Sequence, residues 1–340
     1  MSDTSSTPVV GIVLLNWRNY PASSRCLESL ARITYPAART YLVDNASADG
    51  SMERLTAEFA NRGIEFLWND ANLGFAAGCN VGVRRALADG CGYVLLLNND
   101  CVVDRPDFLE HGVAAAEADP RVGIVGGKIL FFPDTTRIWS TGGWIGRWGD
   151  EHHVGHGETD RGQYDTAADR TFISGALMLI RRRVLERLGE LPEAYFFGKE
   201  EWEYSTRAIR AGFVLRYEPS FRVLHEASDS HEWTDPTYVY NGTLSKVLYR
   251  RRNLSAPAFA LWWAVFRAYL EFLLPLRHAL QRGRFLKGMP FTTLRAAMRS
   301  AVRDVPGCEK VTLEMLERFR RDSGLVTSPP GRAAGATERA

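Results

Sequence analysis

Two stretches decide the fold: Val9-Val10-Gly11-Ile12-Val13-Leu14-Leu15-Asn16 and Tyr41-Leu42-Val43-Asp44-Asn45. Each is an unbroken apolar run that stops at a polar residue. A strand with one wet face would alternate, so continuous runs predict parallel strands covered on both faces. Between them, residues 21–33 carry apolar side chains at helical spacing, with Pro21 tolerated in a first turn. That is one β-α-β unit. The pattern recurs as a helix over 51–60, a strand over 64–68, a helix over 74–88 and a very apolar strand over 93–97. The expectation is an α/β fold with a doubly wound, mostly parallel central sheet flanked by helices, binding ligands at the carboxyl ends of its strands. The polar residues at those ends, Asn16, Asp44, Asn45, Asn98 and Asp100, would share one sheet edge.

Downstream, a helix near 107–118 and a strand over 122–125 lead into Gly126-Gly127-Lys128. Residues 131–169, rich in Gly, Trp, His and charge, read as a long irregular insertion near the site. Order returns over 171–180, which contains Ser174-Gly175-Ala176. Helices follow over 181–188 and 200–211, the second closed by Gly212. Short strands over 214–217 and 221–224 then deliver His225. Residues 254–276 are strongly apolar, but Arg267, Glu271 and Pro275 interrupt them. A membrane-crossing helix needs roughly 20 apolar residues in a row. Arg250 to Arg252 precede the segment and Arg277, Arg282, Arg284 and Lys287 follow it. An interfacial amphipathic helix at an anionic membrane surface, or a helical cap packed on the rest of the chain, are the two readings. Pro, Gly, Ala and Ser content predicts a disordered tail over 323–340.

The 340 residues, 45% hydrophobic, suffice for one large or two small domains. Forty-two Lys and Arg against forty Asp and Glu give a net charge of +2, which offers no global argument for nucleic acid. The first eight residues are polar and lack a secretory signal, so a cytoplasmic location is expected. Five cysteines, an odd number without a Cys-x-x-Cys pair, predict reduced, buried thiols and neither a disulfide framework nor a zinc site.

The sharpest chemical signal is Leu95-Leu96-Leu97-Asn98-Asn99-Asp100, a carboxylate and two amides directly after a buried strand. Asp100 there can hold a hard divalent cation that bridges two phosphates, or it can simply cap a strand end. In Asp44-Asn45-Ala46-Ser47-Ala48-Asp49-Gly50-Ser51, Asp44 can accept from a base imide N–H while Asp49 or Ser51 caps the next helix. Asn72-Leu73-Gly74-Phe75-Ala76-Ala77-Gly78-Cys79-Asn80 fits neither the dinucleotide nor the P-loop glycine spacing. Its small residues allow close approach to a nucleotide or close packing on the sheet. Lys199-Glu200-Glu201-Trp202-Glu203 opens a helix with three carboxylates. These complement the helix dipole, and one near a cationic site can act as general base toward a hydroxyl. His225 is a candidate metal ligand or a packed histidine. His152, His153 and His156 lack ligands at diagnostic spacing and read as loop residues, while Trp139, Trp144 and Trp148 could stack on a ligand.

Taken in order, residues 10–16, 42–51, 72–82, 94–100, 122–130, 172–188 and 195–225 resemble the family-2 glycosyltransferases, particularly their bacterial rhamnosyltransferase-like branch. The resemblance spans about residues 8–250. It implies a glycosyltransferase-A fold, a nucleotide diphosphate sugar donor, Mg²⁺ or Mn²⁺, and inversion at the anomeric carbon. By position, Asp44 resembles the base-binding aspartate, and Asp100 and His225 the metal ligands. Glu201 resembles the base, replacing the usual aspartate, and Asn98 also stands where many relatives have aspartate. Asn16, Asn45, Asn72, Gly74, Phe75, Asn80, Asn98, Asn99 and Gly175 join Asp44 on the donor side. Glu200, Trp202, Glu203 and Trp144 fall on the acceptor side. No Gln-x-x-Arg-Trp motif of processive synthases is present, which implies transfer of a single sugar.

The expected organisation is a disordered 1–8, a catalytic domain over 9–250 with nucleotide-binding (9–128) and acceptor-binding (129–250) halves, and a helical extension over 251–322. The acceptor is expected to be a glycan, a lipid-linked saccharide or a small molecule. Residues 254–290 would provide contact with the inner membrane surface or a homodimer interface. A sugar nucleotidyltransferase, or a catalytically silent sugar- or lipid-binding protein, are the alternatives.

Overall fold

The computed structural model describes residues 7–146, 150–226, 235–281 and 289–325. The first half alternates as the hydrophobic runs require: β1 (Val10–Asn16), α1 (Tyr20–Leu30), β2 (Ala38–Asp44), α2 (Ser51–Glu58), β3 (Ile64–Trp68), α3 (Phe75–Ala88) and β4 (Tyr93–Leu97). These four strands are parallel in the order β3-β2-β1-β4. Both faces are covered. Val10, Ile12 and Leu14 join one core with Leu95 and Leu97, while Val13, Val94 and Leu96 join the core on the other side.

The second half comprises β5 (Cys101–Val102), α4 (Phe108–Glu117), β6 (Val122–Phe131), β7 (Ile138–Ser140), β8 (Gly143–Ile145), β9 (Glu151–His153), β10 (Ala168–Arg170), β11 (Leu177–Arg181), α5 (Arg182–Leu188), α6 (Glu200–Arg210) and β12 (Val214–His225). Here β11 runs antiparallel between β4 and β6, and β12 is parallel to β6, so the sheet is mixed on this side. The two short strands expected near Val214 and Phe221 are one strand with a register shift between Glu218 and Arg222. The insertion is anchored rather than loose: Lys128, buried on β6, pairs with Asp160 at 2.9 Å and with Asp165. All five cysteines are buried and unpaired. Pro8, expected in a disordered terminus, is held through its carbonyl by the Tyr35 hydroxyl at 2.7 Å.

Among the described residues, five more helical segments follow: α7 (Pro236–Asn253), α8 (Ala256–Ala268) continuing through a π turn (Tyr269–Leu273) into α9 (Leu274–Gln281), then α10 (Phe291–Asp304) and α11 (Leu313–Asp322). One face of this region packs on the rest of the chain and the other is exposed. Trp262 and Phe266 share a core with Tyr240, Leu248 and, from the sheet domain, Phe172, Tyr195 and Trp202. The outer face of Ala256–Leu280 stays apolar and exposed, and by length and composition this run could cross a membrane, with a mean hydropathy of 1.3. Pro275 does not end the helix. A proline lacks the N–H that would bond the carbonyl four residues back, and that carbonyl, on Glu271, accepts instead from Arg295 Nη2 at 3.0 Å. The flanking Arg282, Arg284 and Lys287 lie outside the described residues, as do residues 326–340 of the tail.

The glycines of the third motif serve packing. A Cβ at Gly78 would stand 2.7 Å from Leu15 Cδ1, and one at Gly82 2.5 Å from Val13 Cγ1, so α3 lies close on β1 because these positions are bare. Gly74 has φ +82° and ψ −177°, a region open in practice only to glycine, and its Cβ would meet the Phe196 carbonyl at 2.3 Å. Gly74→Ala should therefore lower the unfolding free energy by about 2 kcal/mol or more, read from the urea midpoint; an unchanged midpoint would contradict this geometry.

Candidate active site

The site is built at the carboxyl edge of the parallel strands. The register that pairs Asn16 with Asp44 brings their side chains together. Asn16, fully buried, donates from Nδ2 to Asp44 Oδ1 at 2.9 Å, Ser51 Oγ at 3.0 Å and Ser47 Oγ at 3.2 Å, and accepts from Ser23 Oγ at 2.9 Å. Ser23 in turn accepts from Asn99 Nδ2 at 2.7 Å. An unbroken hydrogen-bonded chain thus links the end of β4 to the end of β2. Asp44 Oδ2 receives the Ser47 N–H at 2.9 Å and keeps one acceptor position. Asp49 Oδ1 accepts from the Ser51 N–H at 3.0 Å at the start of α2, so the capping role falls to a different residue.

Asn45 is saturated within the protein. It donates to Asn72 Oδ1 and the Gly74 carbonyl and accepts from Asn69 Nδ2 and the Leu73 N–H, which fixes the loop before α3. The Phe75 N–H bonds the Phe196 carbonyl at 2.7 Å. A Cβ on Gly175 would lie 3.3 Å from the Phe75 ring and 4.0 Å from Glu201 Cβ, so these three residues converge. Asn80 is placed elsewhere: its amide clamps the Leu191 backbone and Glu193 Oε1 at 3.0–3.1 Å. Asn98 lends its backbone, its N–H to the Ala176 carbonyl and its carbonyl to the Cys101 N–H.

Asp100 Oδ1 lies 3.0 Å from His225 Nε2. Among the described residues, Asp100, Cys101 and His225 form the one grouping with atoms close enough to share a cation, all within 4.8 Å. Burial raises the Asp100 carboxyl, but the charge and hydrogen bond of His225 outweigh it and leave it below the usual carboxylate range. The Cys101 thiol is pushed far up by burial and bonds the Ala176 carbonyl, so it stays protonated. His225 packs edge-on against Trp139 at 4.6 Å, and its Nδ1 is buried without a partner.

Glu200 and Glu201 open α6 side by side. Burial first, then its neighbour's charge, pushes Glu200 well above the ordinary carboxylate range, and a side-chain hydrogen bond with Glu201 adds to the rise. Glu201 is raised as well, chiefly by burial and next by Glu151. The Oε2 of each is buried without a hydrogen-bond partner.

Residues 12–189, just over half the chain, match the family described as Glycosyl transferase family 2. The chain belongs to that family. It is 27% identical over 247 residues to the N-acetylglucosaminyl-diphospho-decaprenol L-rhamnosyltransferase of Mycobacterium tuberculosis, an alignment covering 66% of this chain and 78% of that one. The mannosyltransferase PcManGT of Pyrobaculum calidifontis, solved with GDP-Man and Mn²⁺, superposes with a TM-score of 0.53 at 16% identity, over 95% of this chain and 81% of that one. GalNAc-T7, solved with UDP, GalNAc and Mn²⁺, superposes with a TM-score of 0.58 at 15% identity, over 94% and 57%. The fold is glycosyltransferase-A, and the protein is a glycosyltransferase that uses a nucleotide sugar. The nucleotidyltransferase and the silent binding protein give way to this family assignment.

Within this family 2 enzyme, several expected acceptor-side residues are placed in other work. Trp202 is fully buried and donates to Glu151 Oε2 at 2.9 Å, so its face is core rather than a ligand platform. Glu203 is buried in a two-pronged pair with Arg252 at 2.8 and 2.9 Å and accepts from the Tyr195 hydroxyl. It fastens α6 to α7. Trp144 is half exposed and stacks on His152. Trp148 lies outside the described residues. Two residues given no role by the sequence now matter. Lys199 sits 3.7 Å above the Trp202 ring and 3.7 Å from Glu151 Oε2, and Glu151, from the insertion, acts electrostatically on Glu201. Lys199 adopts φ +88°, a conformation no residue-type pattern announces.

Of the three insertion histidines, read from sequence as loop residues, His152 and His153 stand on β9 and His156 in the turn after it, and each has its own partner: His152 meets Asp150, His156 the Trp139 carbonyl, and His153 the Ser140 hydroxyl at 2.8 Å. Burial drives the His153 pKa down to about 4. The unfolded chain therefore binds the extra proton between the ordinary histidine pKa and about 4, so stability falls as pH drops through that window. The total loss from this one group is about 3 kcal/mol. His153→Gln should flatten the stability curve there; denaturant midpoints at several pH values would show an unchanged slope if His153 were solvated.

Proposed function

We propose that this enzyme transfers a single sugar, with inversion, from a UDP- or dTDP-sugar, rhamnose among the candidates, to a hydroxyl of a lipid-linked saccharide or related glycan. The observation that carries the reading is Glu201: a carboxylate whose pKa burial raises, with a buried Oε2 that has no hydrogen-bond partner and a Cβ 4.0 Å from where a Cβ on Gly175 would stand. A general base with a raised pKa is better matched to a hydroxyl proton near neutral pH. Glu200, raised further and bonded to Glu201, would not compete for that proton. Asp44, held by Asn16 and Ser47, would accept from the base imide N–H. Lys199 and Glu151 would orient the incoming acceptor beside Glu201.

Asp100 and His225 fit a divalent cation, Mg²⁺ or Mn²⁺: one carboxylate and one imidazole in contact, the second imidazole nitrogen free of partners, with diphosphate oxygens left to complete the shell. Such a cation would offset the charge that grows on the leaving diphosphate. The lipid-linked class of acceptor is supported by the activity named for the mycobacterial relative and by the exposed apolar face of α8 and α9. Residues 9–250 would form the catalytic body, working in the cytoplasm on the inner face of the membrane.

Glu201→Gln should reduce turnover by about a thousandfold or more while nucleotide-sugar affinity changes less than about threefold, because a base acts in the transition state. Release of nucleoside diphosphate and binding calorimetry measure the two, and near-normal turnover would remove Glu201 from the role. In the wild type, turnover should fall on the acid side with an apparent pKa above the ordinary glutamate value, since burial raises Glu201. Asp100→Asn should weaken the Mn²⁺-dependent part of donor binding while leaving the metal-free part in place.

A further inference from the structure

A cleft of about 610 Å³ opens between α10 and the stretch of α8 and π turn that faces it. Four arginines line it, Arg267, Arg295, Arg299 and Arg303, against a single carboxylate, Glu271. Arg295 and Arg299 both engage Glu271. Arg267 and Arg303 have no carboxylate partner among the described residues; Arg303 donates to Ser300 Oγ at 2.8 Å. The charge at this cleft is therefore positive and incompletely compensated.

Among the described residues, six of the twelve exposed large hydrophobic side chains lie on this same helical run. Its inner stripe, Trp262, Phe266, Leu270 and Leu274, is buried and fixes its orientation. On the outer side Leu261 is 70% exposed, Phe272 74%, Leu276 54% and Leu280 75%. Arg267 and Glu271 each follow an inner-stripe residue by one position, about 100° round the helix, and so border that outer face. Soluble monomers rarely expose a contiguous apolar surface of this kind. An apolar ridge bordered by Arg267, with the arginine-lined cleft beside it, is the arrangement of a helix lying in a membrane interface, where acyl chains meet the ridge and phosphates meet the arginines.

We propose that α8 and α9 lie in the plane of an anionic bilayer and that the arginine cleft receives the phosphate of an anionic phospholipid. Guanidinium forks match phosphate oxygens two at a time, which a water-filled cleft would not reward. Seating the lipid phosphate there anchors the catalytic domain at a fixed orientation to the surface. The site goes beyond the sugar-transfer chemistry, and its test needs no turnover, so either reading can fail without the other.

The test is flotation of the full-length chain with phosphatidylcholine vesicles, with and without about one third phosphatidylglycerol, at moderate salt. The wild type should partition about tenfold or more in favour of the anionic vesicles. Arg267→Gln with Arg303→Gln, which leaves the Glu271 pairs intact, should abolish that preference, and Leu276→Glu with Leu280→Glu should abolish binding to both vesicle types. Thermal melts report that each variant is folded. A wild type without preference, or an arginine variant that keeps it, overturns the proposal. So does a wild-type dimer, seen by light scattering, that the leucine variant splits while no vesicle is bound, since the face would then be a subunit interface.

Discussion

The amide of Asn16 is the point on which the site depends. It is fully buried at the end of β1 and joins Asp44, Ser47 and Ser51 on one side to Ser23 and Asn99 on the other. A buried donor or acceptor left unpaired costs about 1–3 kcal/mol, so this chain is stable only while every member is present. Its existence follows from strand register: Asn16 opposes Asp44, and a slip of one residue would turn one of the two side chains to the other face. The same parallel register that closes the hydrophobic core therefore also fixes the distance between the proposed base-binding carboxylate and the turn that leads to Asp100.

A second constraint acts where α6 begins. Two adjacent glutamates buried together cannot both stay ionised cheaply, and both carboxyls are raised, Glu200 the further of the two. The environment of Glu201 is set by residues distant in sequence. Glu151 arrives from the insertion, Trp202 holds it, and Lys199 lies over the Trp202 ring. Glu203, only two positions further along, has the opposite fate: Arg252 and Tyr195 hold it below the usual carboxylate range despite burial. Three carboxylates within four residues thus divide into a pair raised by burial, each with an unpartnered oxygen, and a structural clamp.

The parallel half of the sheet was legible because burial on both faces writes itself as unbroken apolar runs such as Val9 to Leu15. The antiparallel course of β11 was not, since an apolar run carries no direction. Asp44 and Asp100 could be picked out because strand ends put polar residues where ligands bind. Their surroundings could not, because Ser23, Ser47 and Trp139 are ordinary residues whose importance comes from contacts across the sheet. Trp202 and Glu203 misled for a related reason. Charge and aromatic character signal reactivity and packing equally well, and only the positions of Glu151 and Arg252 separate the two. Lys199 left no trace at all, as its left-handed backbone is imposed by the fold rather than by its side chain.

The same ambiguity shaped the reading of the C-terminal helix, and its resolution shows why composition alone could not decide it. Arg267, Glu271 and Pro275 looked like interruptions of an apolar span. In the structure they make the span workable: Pro275 withdraws one N–H, Arg295 supplies the lost bond to the Glu271 carbonyl and also pairs with its carboxylate, and Arg267 borders the cleft. Removing these three interruptions would leave a more hydrophobic helix held to α10 by its apolar stripe alone, without the Arg295 and Arg299 bonds to Glu271. The polar residues therefore keep one face of an otherwise lipid-soluble segment on the protein, and the position they enforce leaves its other face bare.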